Sequence, residues 1–174
     1  LRREQGRNRE GGGPVFLEIL QQLGRDGLLG VGWPTEYGGQ GRGPIEQYIF
    51  TEEVQRTGFP LPFLTLNTVG PTIMRYGTDE QKAEILPKVL AGEIFFAIGY
   101  SEPAAGTDLA SLQTSAQRDG EEWVINGQKM WTSLAGYSDF IWLAARTDPD
   151  APKHRGLSMF LVPTTSEGYS RQKI

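Results

Sequence analysis

The sequence contains no cysteine and a single histidine. The absence of cysteine excludes disulfide bonds, thiolate metal ligands and a cysteine nucleophile. One histidine excludes a multi-histidine metal site and leaves at most one imidazole base. That residue, His154, lies in a polar stretch where we expect it to be exposed and without a catalytic role. We therefore predict no metal site.

Excess positive charge and long apolar runs are also missing. Lysine and arginine together number 17 against 21 aspartates and glutamates, a net charge of −4. No basic field is available to hold a polyanion, so we predict no nucleic-acid partner. The sequence contains no run of about 18 apolar residues, so we predict no membrane-spanning helix. With no recognisable signal peptide, we expect a cytoplasmic location.

Glycine, by contrast, is abundant and unevenly placed. The 174 residues include 23 glycines, 13 of them within residues 1–58. The cluster at 38–43 lacks the spacing of a phosphate-binding loop, because Pro44 stands where the last glycine would be and no strand precedes it. We interpret this cluster as a structural loop between helices, with the rim of a binding site as the alternative.

The first half of the chain has helical periodicity. Residues 1–13 are polar, end in three glycines and predict a solvated helix remnant and loop. Thr78 and Gln81 have capping-box spacing. We expect Pro87 to bend or shorten the helix that follows Thr78, and Gly70-Pro71 to kink or split the one before it. The predicted helices cover residues 14–24, 45–57, 63–76 and 78–92.

After Glu93 the apolar pattern becomes strand-like. Asp119-Gly120 and Asn126-Gly127 are typical of tight hairpins. Helices followed by strands predict a segregated α+β fold, with a domain boundary near Glu93. The predicted strands cover residues 94–100, 112–118, 122–125, 128–132, 140–146 and 157–162.

Two segments carry residues suited to ligand binding. Residues 99–108 follow a predicted strand and are rich in small, hydroxyl and acidic side chains, which can hydrogen-bond a flat or anionic ligand. The alternative is a turn with Thr107 and Asp108 as capping residues. Residues 126–133 place Trp131 and two hydroxyls at the end of another predicted strand. Trp131 is either a core residue or a platform for a flat heterocycle.

Taken together, these two segments resemble the acyl-CoA dehydrogenase family. Ser101-Glu102-Pro103 through Gly106-Thr107-Asp108 is similar to the first family signature. Lys129-Met130-Trp131-Thr132-Ser133 is similar to the flavin-contacting strand of the family. The resemblance extends over essentially the whole chain through Gly32-Trp33-Pro34, Glu36-Tyr37-Gly38-Gly39 and the region from Gly77-Thr78 to Gly92-Glu93.

The resemblance implies a helical N-terminal domain over 1–93 and a small antiparallel β-barrel middle domain over 94–174. The C-terminal four-helix domain of the family is then absent, and this chain is expected to be a fragment that is inactive alone. In the family, FAD accepts a hydride while a glutamate of the C-terminal domain removes the α-proton of an acyl-CoA, giving the 2-enoyl-CoA. No catalytic residue is therefore assigned in this chain.

The resemblance also implies positions for cofactor and substrate contacts. Ser101 is expected at the polar edge of the flavin, Trp131 on its ring face and Ser133 near its reactive nitrogen. Tyr100 stands where the signature prefers an aliphatic residue. The implied cofactor-binding residues are Tyr100, Ser101, Gly106, Thr107, Trp131 and Ser133, and the implied substrate-binding residues are Ser101 and Thr107.

The implied partners are an acyl-CoA substrate, an electron-transfer flavoprotein or similar acceptor, and further subunits of a homo- or hetero-tetramer. The wording of Gly24-Arg25-Asp26-Gly27 and Gly99-Tyr100-Ser101 resembles actinobacterial members that act on sterol side-chain CoA thioesters, often built from two different subunits. The alternatives are a non-catalytic flavin-binding subunit, a flavin monooxygenase or acyl-CoA oxidase, and a binding domain without cofactor.

Overall fold

The computed structural model describes residues 12–173. The chain divides into two compact units, residues 1–96 and 97–174. The first is helical and the second is built around a sheet, so the predicted α+β fold class is confirmed. Residues 1–11 of the predicted solvated start lie outside the described range. Among residues 12–173, no helix has the length and apolarity needed to cross a membrane.

The described part of the first unit contains four α-helices. Helices α1 and α2 each begin at a proline, where the missing backbone N–H breaks no helical hydrogen bond. The ring of Phe16 on α1 stacks on Phe59 at 5.4 Å and meets the edge of Phe95 at 5.8 Å, in the core of this unit. The helices are α1 (Pro14–Arg25), α2 (Pro44–Thr57), α3 (Gly70–Tyr76) and α4 (Asp79–Leu90).

A π-helical turn, Thr65–Val69, leads directly into α3. The amide of Gly70 donates to the carbonyl of Thr65, five residues earlier. Pro71 has no N–H to donate, and the widened turn accommodates this loss. The predicted interruption at Gly70-Pro71 is thus a change of helix type. Gly70 also leaves room for the buried ring of Trp33, whose indole N–H donates to the carbonyl of Leu66 at 2.9 Å.

Helix α4 begins with the predicted capping box. The Thr78 hydroxyl accepts from the Gln81 amide at 3.2 Å, and the Gln81 side chain accepts from the Thr78 amide at 3.0 Å. Pro87 does not end the helix, which continues to Leu90.

Removing the cap of α4 is expected to destabilise the helical unit. Thr78→Ala leaves the Gln81 amide without its acceptor, so the free energy of unfolding should fall by about 1 kcal/mol in urea titrations. Thr72→Ala is the control, because the Thr72 hydroxyl donates to the Thr68 carbonyl four residues earlier, a local bond that adds little stability. Equal effects of the two substitutions would contradict the capping assignment.

The sheet has five strands in the described residues, with β4 at its centre. Strand β4 pairs with β1, β2 and β5, and β3 pairs with β2 at the edge. The β4–β5 and β2–β3 pairs are antiparallel, and β2 meets β4 in parallel at Ser115 and Arg146. The predicted Asp119-Gly120 turn joins β2 to β3. The strands are β1 (Phe96–Gly99), β2 (Ser115–Asp119), β3 (Glu122–Asn126), β4 (Phe140–Arg146) and β5 (Leu157–Pro163).

The predicted strand over 128–132 is wrong, and Asn126-Gly127 is not a hairpin turn. Residues 127–132 have no regular secondary structure. Gly127 packs directly on Thr114, since a Cβ at 127 would lie 2.7 Å from the Thr114 Cα. The Met130 amide then bonds to the segment after β1 instead of to β3. Trp131 therefore lies in a loop and not at a strand end.

Candidate functional site

Two loops of the sheet unit carry the motif residues and are hydrogen-bonded to each other. The first loop, residues 100–108, follows β1, and the second, residues 127–137, follows β3. The Met130 amide donates to the Ser101 carbonyl at 2.8 Å. The Lys129 ammonium donates to the Tyr100 carbonyl at 3.0 Å and to the Glu102 carboxylate at 2.8 Å. The two loops are therefore cross-linked on both sides of Ser101.

The Glu102 carboxylate is a buried anion with several donors. Its side chain is 6% exposed and that of Lys129 is 10% exposed. Glu102 also accepts from the backbone amides of Gln113 at 2.7 Å and Thr114 at 2.9 Å. Burial alone raises the pKa of Glu102, but the hydrogen bonds from Lys129, Thr114 and Gln113 outweigh it and lower that pKa from 4.5 to about 2. Burial lowers the pKa of Lys129, and Glu102 opposes that effect.

Acidification is expected to remove the contribution of Glu102 to stability between pH 4.5 and about 2. In this window the unfolded chain binds more protons than the folded chain, because the folded pKa is the lower one. The contribution is complete above pH 4.5 and is lost as the pH falls through the folded pKa of about 2. Its full size is on the order of 3 kcal/mol.

Urea unfolding of the wild type and of Glu102→Gln from pH 7 to pH 2 measures this effect. The stability difference between the two proteins should shrink across the window, because protonation makes the wild-type side chain neutral too. A difference that is independent of pH would contradict the assignment.

The second loop contains a strained turn. Trp131 and Leu134 have φ angles of +60° and +68° and are the non-glycine residues with positive φ in the described range. Ser133 donates its amide to the Trp131 carbonyl at 2.9 Å, which closes a three-residue turn. The left-handed conformation costs an L-residue about 1–2 kcal/mol. Such strain is typical of ligand sites and is retained only where the surrounding structure enforces it.

The strained turn presents an aromatic plane together with hydroxyl groups. Trp131 is 68% exposed, so the alternative of a core tryptophan is wrong. Ser133 is also exposed. The hydroxyl oxygen of Thr132 is buried and has no hydrogen-bond partner within residues 12–173. A buried hydroxyl normally has a partner, so this atom is one that a ligand could satisfy.

The phenol ring of Tyr100 belongs to the core of the sheet unit. Its oxygen accepts from the indole N–H of the buried Trp142 at 3.0 Å. Its ring packs on a buried cluster that includes Leu112 and Ala144. The Trp142 donor gives the Tyr100 oxygen a hydrogen-bond partner within the core. The part of Tyr100 that enters the loop cross-link is its carbonyl group.

Gly106 and Thr107 lie further along the first loop and are exposed. They follow Ala105, which forms a bridge with Glu102. A Cβ at position 106 would meet open space, so the fold of the described residues does not require glycine there. The hydrogen bonds that join the two loops therefore bring together Tyr100, Ser101 and the Trp131 turn, and these bonds do not involve Gly106 or Thr107.

Sequence reasoning missed Glu102, Lys129 and Thr132 as parts of the site. All three lie inside the two motif segments, and this position is the one sequence feature that could have indicated them. An ion pair between residues far apart in sequence produces no periodic pattern, and the sequence around Thr132 does not reveal that its hydroxyl oxygen is buried.

The arrangement can bind a flat ligand with a polar edge. The Trp131 indole offers a face for stacking, and the hydroxyls of Ser101, Thr132 and Ser133 offer donors and acceptors. An exposed indole face beside these hydroxyl groups favours an aromatic heterocycle. Within residues 12–173, no cluster of three or more histidine, aspartate or glutamate side chains could hold a metal ion.

Comparison with known proteins gives matches over both units. The family model described as "Acyl-CoA dehydrogenase, N-terminal domain" matches residues 3–93, and "Acyl-CoA dehydrogenase, middle domain" matches residues 97–174. Acyl-CoA dehydrogenase FadE26 of Mycobacterium tuberculosis is 60% identical over 163 residues, which cover 92% of this chain and 41% of that protein. The chain thus spans about two fifths of the length of this relative.

Two solved structures have a similar fold and high identity. The Tcur3481-Tcur3483 steroid ACAD superposes with a TM-score of 0.89 at 61% identity, covering 92% of this chain and 42% of that one. The ChsE4-ChsE5 complex from Mycobacterium tuberculosis superposes with a TM-score of 0.86 at 61% identity, covering 89% of this chain and 40% of that one.

Proposed function

The chain belongs to the acyl-CoA dehydrogenase family, and from this premise we propose that the full-length protein is an FAD-dependent dehydrogenase of acyl-CoA thioesters. The proposed reaction removes a proton from the α-carbon and a hydride from the β-carbon, giving the 2-enoyl-CoA. FAD, when bound, supplies the acceptor for the hydride. The observation that carries the proposal is the hydrogen-bonded loop pair, which presents the exposed Trp131 turn beside Ser101.

The residues of the loop pair fit a flavin. A large exposed indole on a strained backbone suits a flat ring. The buried Thr132 hydroxyl, which has no hydrogen-bond partner among the described residues, suits the polar edge of that ring. Ser101 and Ser133 are proposed as further hydrogen-bonding partners, together with the backbone at Tyr100. The exposed pair Gly106 and Thr107 is proposed to face the pyrophosphate and the acyl-CoA, with Ser101 also near the substrate.

The α-proton must be removed by a base whose pKa lies near the working pH. Glu102 is the buried carboxylate of the loop pair, but its pKa of about 2 makes it a weak base. Its oxygens also accept from Lys129 and from two backbone amides. Glu102 is therefore a structural anion, and we propose that the catalytic base lies in a part of the full-length protein outside these 174 residues.

The proposed substrate class is a steroid side-chain CoA thioester. It is supported by the 61% identity to the steroid ACAD over 92% of this chain. The similarity to the ChsE4-ChsE5 complex favours a second candidate, a flavin-binding subunit that works only with a different partner chain. In both cases an electron-transfer flavoprotein or similar acceptor would reoxidise the enzyme, and the oligomer would be a tetramer.

Purification and assay of the full-length protein test the proposal. We expect flavin to co-purify and a steroid side-chain CoA thioester to reduce an artificial electron acceptor, with a product two hydrogens lighter by mass spectrometry. Absence of flavin from the folded protein would overturn the cofactor assignment. Turnover of straight-chain fatty acyl-CoAs alone would overturn the substrate class. Turnover that requires co-expression of a second dehydrogenase chain would establish the subunit alternative.

A further inference from the structure

We infer that Lys129 and Glu102 form a positioning pair, which holds Ser101 and the Trp131 turn in a fixed relation to each other. The inference rests on the proposed function insofar as those residues bind the flavin. The hydrogen bonds of the two side chains run to each other and to backbone groups of the loops and of the start of β2. The pair would therefore act on the reaction through other residues.

Lys129 connects to the residues on either side of Ser101. One N–H of its ammonium group reaches the Tyr100 carbonyl at 3.0 Å and another reaches the Glu102 carboxylate at 2.8 Å. The backbone carbonyl of Ser101 accepts from the Met130 amide at 2.8 Å. Three consecutive residues of the first loop are thus held by two consecutive residues of the second, immediately before Trp131.

The pair also anchors both loops to the start of β2. Glu102 accepts from the amides of Gln113 and Thr114, which directly precede that strand. A movement of Lys129 would therefore break its bonds to Tyr100 and Glu102 and leave the Met130–Ser101 bond to join the loops, while Glu102 would still hold the first loop to the residues before β2. The ion pair determines the spacing between the loops as well as the attachment of each.

A contribution to the free energy of unfolding does not by itself explain why a buried ion pair occupies these positions. Burying two charges costs desolvation energy that their attraction often fails to repay, and a well-packed apolar pair can be equally stable. An apolar side chain at 129 cannot donate to the Tyr100 carbonyl, however. The specific property that a charged pair adds here is the position of the backbone at residues 100–102.

The test compares wild type with Glu102→Gln/Lys129→Met in the full-length protein with saturating FAD. The double variant removes both charges and the bond to Tyr100, while the glutamine side chain that replaces Glu102 keeps an oxygen to accept from the Thr114 amide. We expect kcat of the double variant to fall by about 10²-fold with little change in KM. The single variant Lys129→Arg keeps a charged donor beside Glu102, so its kcat should lie between those of the double variant and the wild type.

Trp123→Ala and Phe160→Leu are the controls for stability. Both substitutions weaken the edge-to-face contact between Trp123 on β3 and Phe160 on β5, two strand residues that belong to neither loop. They should lower the free energy of unfolding while kcat stays close to that of the wild type.

A second readout does not depend on flavin. In protein without cofactor, hydrogen exchange at the Met130 amide reports the bond to Ser101 directly. We expect exchange at Met130 in the double variant to be at least about tenfold faster than in a control variant of equal global stability.

Equal exchange at matched stability, or an unchanged kcat, would overturn the positioning role. Wild-type protein that shows neither flavin nor turnover would instead overturn the proposed function, while the exchange measurement would still decide the role of the pair.

Discussion

Glu102→Gln is expected to lower the free energy of unfolding by about 3 kcal/mol. The substitution leaves the ammonium group of Lys129, whose side chain is 10% exposed, without its counter-charge. A buried charge without a partner costs more than the pair contributed, because it cannot recover its hydration. The measurement is urea unfolding at pH 7, where the wild-type Glu102 is ionised.

The double variant Glu102→Gln/Lys129→Met tests whether the loss of stability comes from the unpaired charge. Glu102→Gln/Lys129→Met removes both charges, so it should be less destabilised than Glu102→Gln alone, with a coupling energy of about 1–3 kcal/mol. The exposed pair Lys153–Asp108 is the control, since its side chains are 68% and 58% exposed. Asp108→Asn should change stability by less than about 1 kcal/mol. If the effects of Glu102→Gln and Lys129→Met, each measured alone, added up to that of the double variant, the two charges would be independent.

Trp131→Ala is expected to weaken FAD binding by about 10–100-fold, with little effect on folding. Stacking of a heterocycle on an aromatic side chain contributes about 1–3 kcal/mol, which corresponds to this range. The side chain is 68% exposed, so its removal takes little from the core. The measurement is equilibrium titration of the flavin-free protein with FAD, followed by flavin fluorescence.

The strained backbone at Trp131 allows a second substitution to separate binding from stability. Trp131→Gly removes the indole and relieves the steric cost of φ +60°. The free energy of unfolding should therefore not fall, whereas the affinity for FAD should fall. Trp123→Ala is the matched control, because Trp123 is 44% exposed on β3 and packs against Phe160. It should lower stability and leave FAD affinity unchanged. If Trp131→Gly lowered stability without affecting FAD, the indole would have a structural role only.

The ion pair and the indole occupy different parts of one arrangement. The side chains of the ion pair are buried, and the indole lies exposed on the second loop. Substitutions at the pair are expected to change both stability and the site, whereas substitutions at Trp131 are expected to change the site alone. The contrast follows from burial, since only the buried group leaves an uncompensated charge when it is altered.

Local signals in the sequence were sufficient for much of the fold. The capping box at Thr78 and Gln81, the strand over 140–146 and the Asp119-Gly120 turn are all present in the structure. Each depends on interactions between neighbouring residues or on the alternation of apolar side chains along one element. Such interactions are encoded within a few residues, so they can be read without knowledge of the rest of the chain.

The sequence by itself therefore determined the order of helices and strands, and its two motif segments marked the region of the candidate site. Only the tertiary structure decided how these segments meet. The residues at 128–132 form a loop because the partner of the Met130 amide is Ser101, which belongs to a distant part of the chain. The burial of Glu102 with Lys129, and the exposure of Trp131 with its left-handed backbone, likewise depend on contacts between loops that no local pattern records.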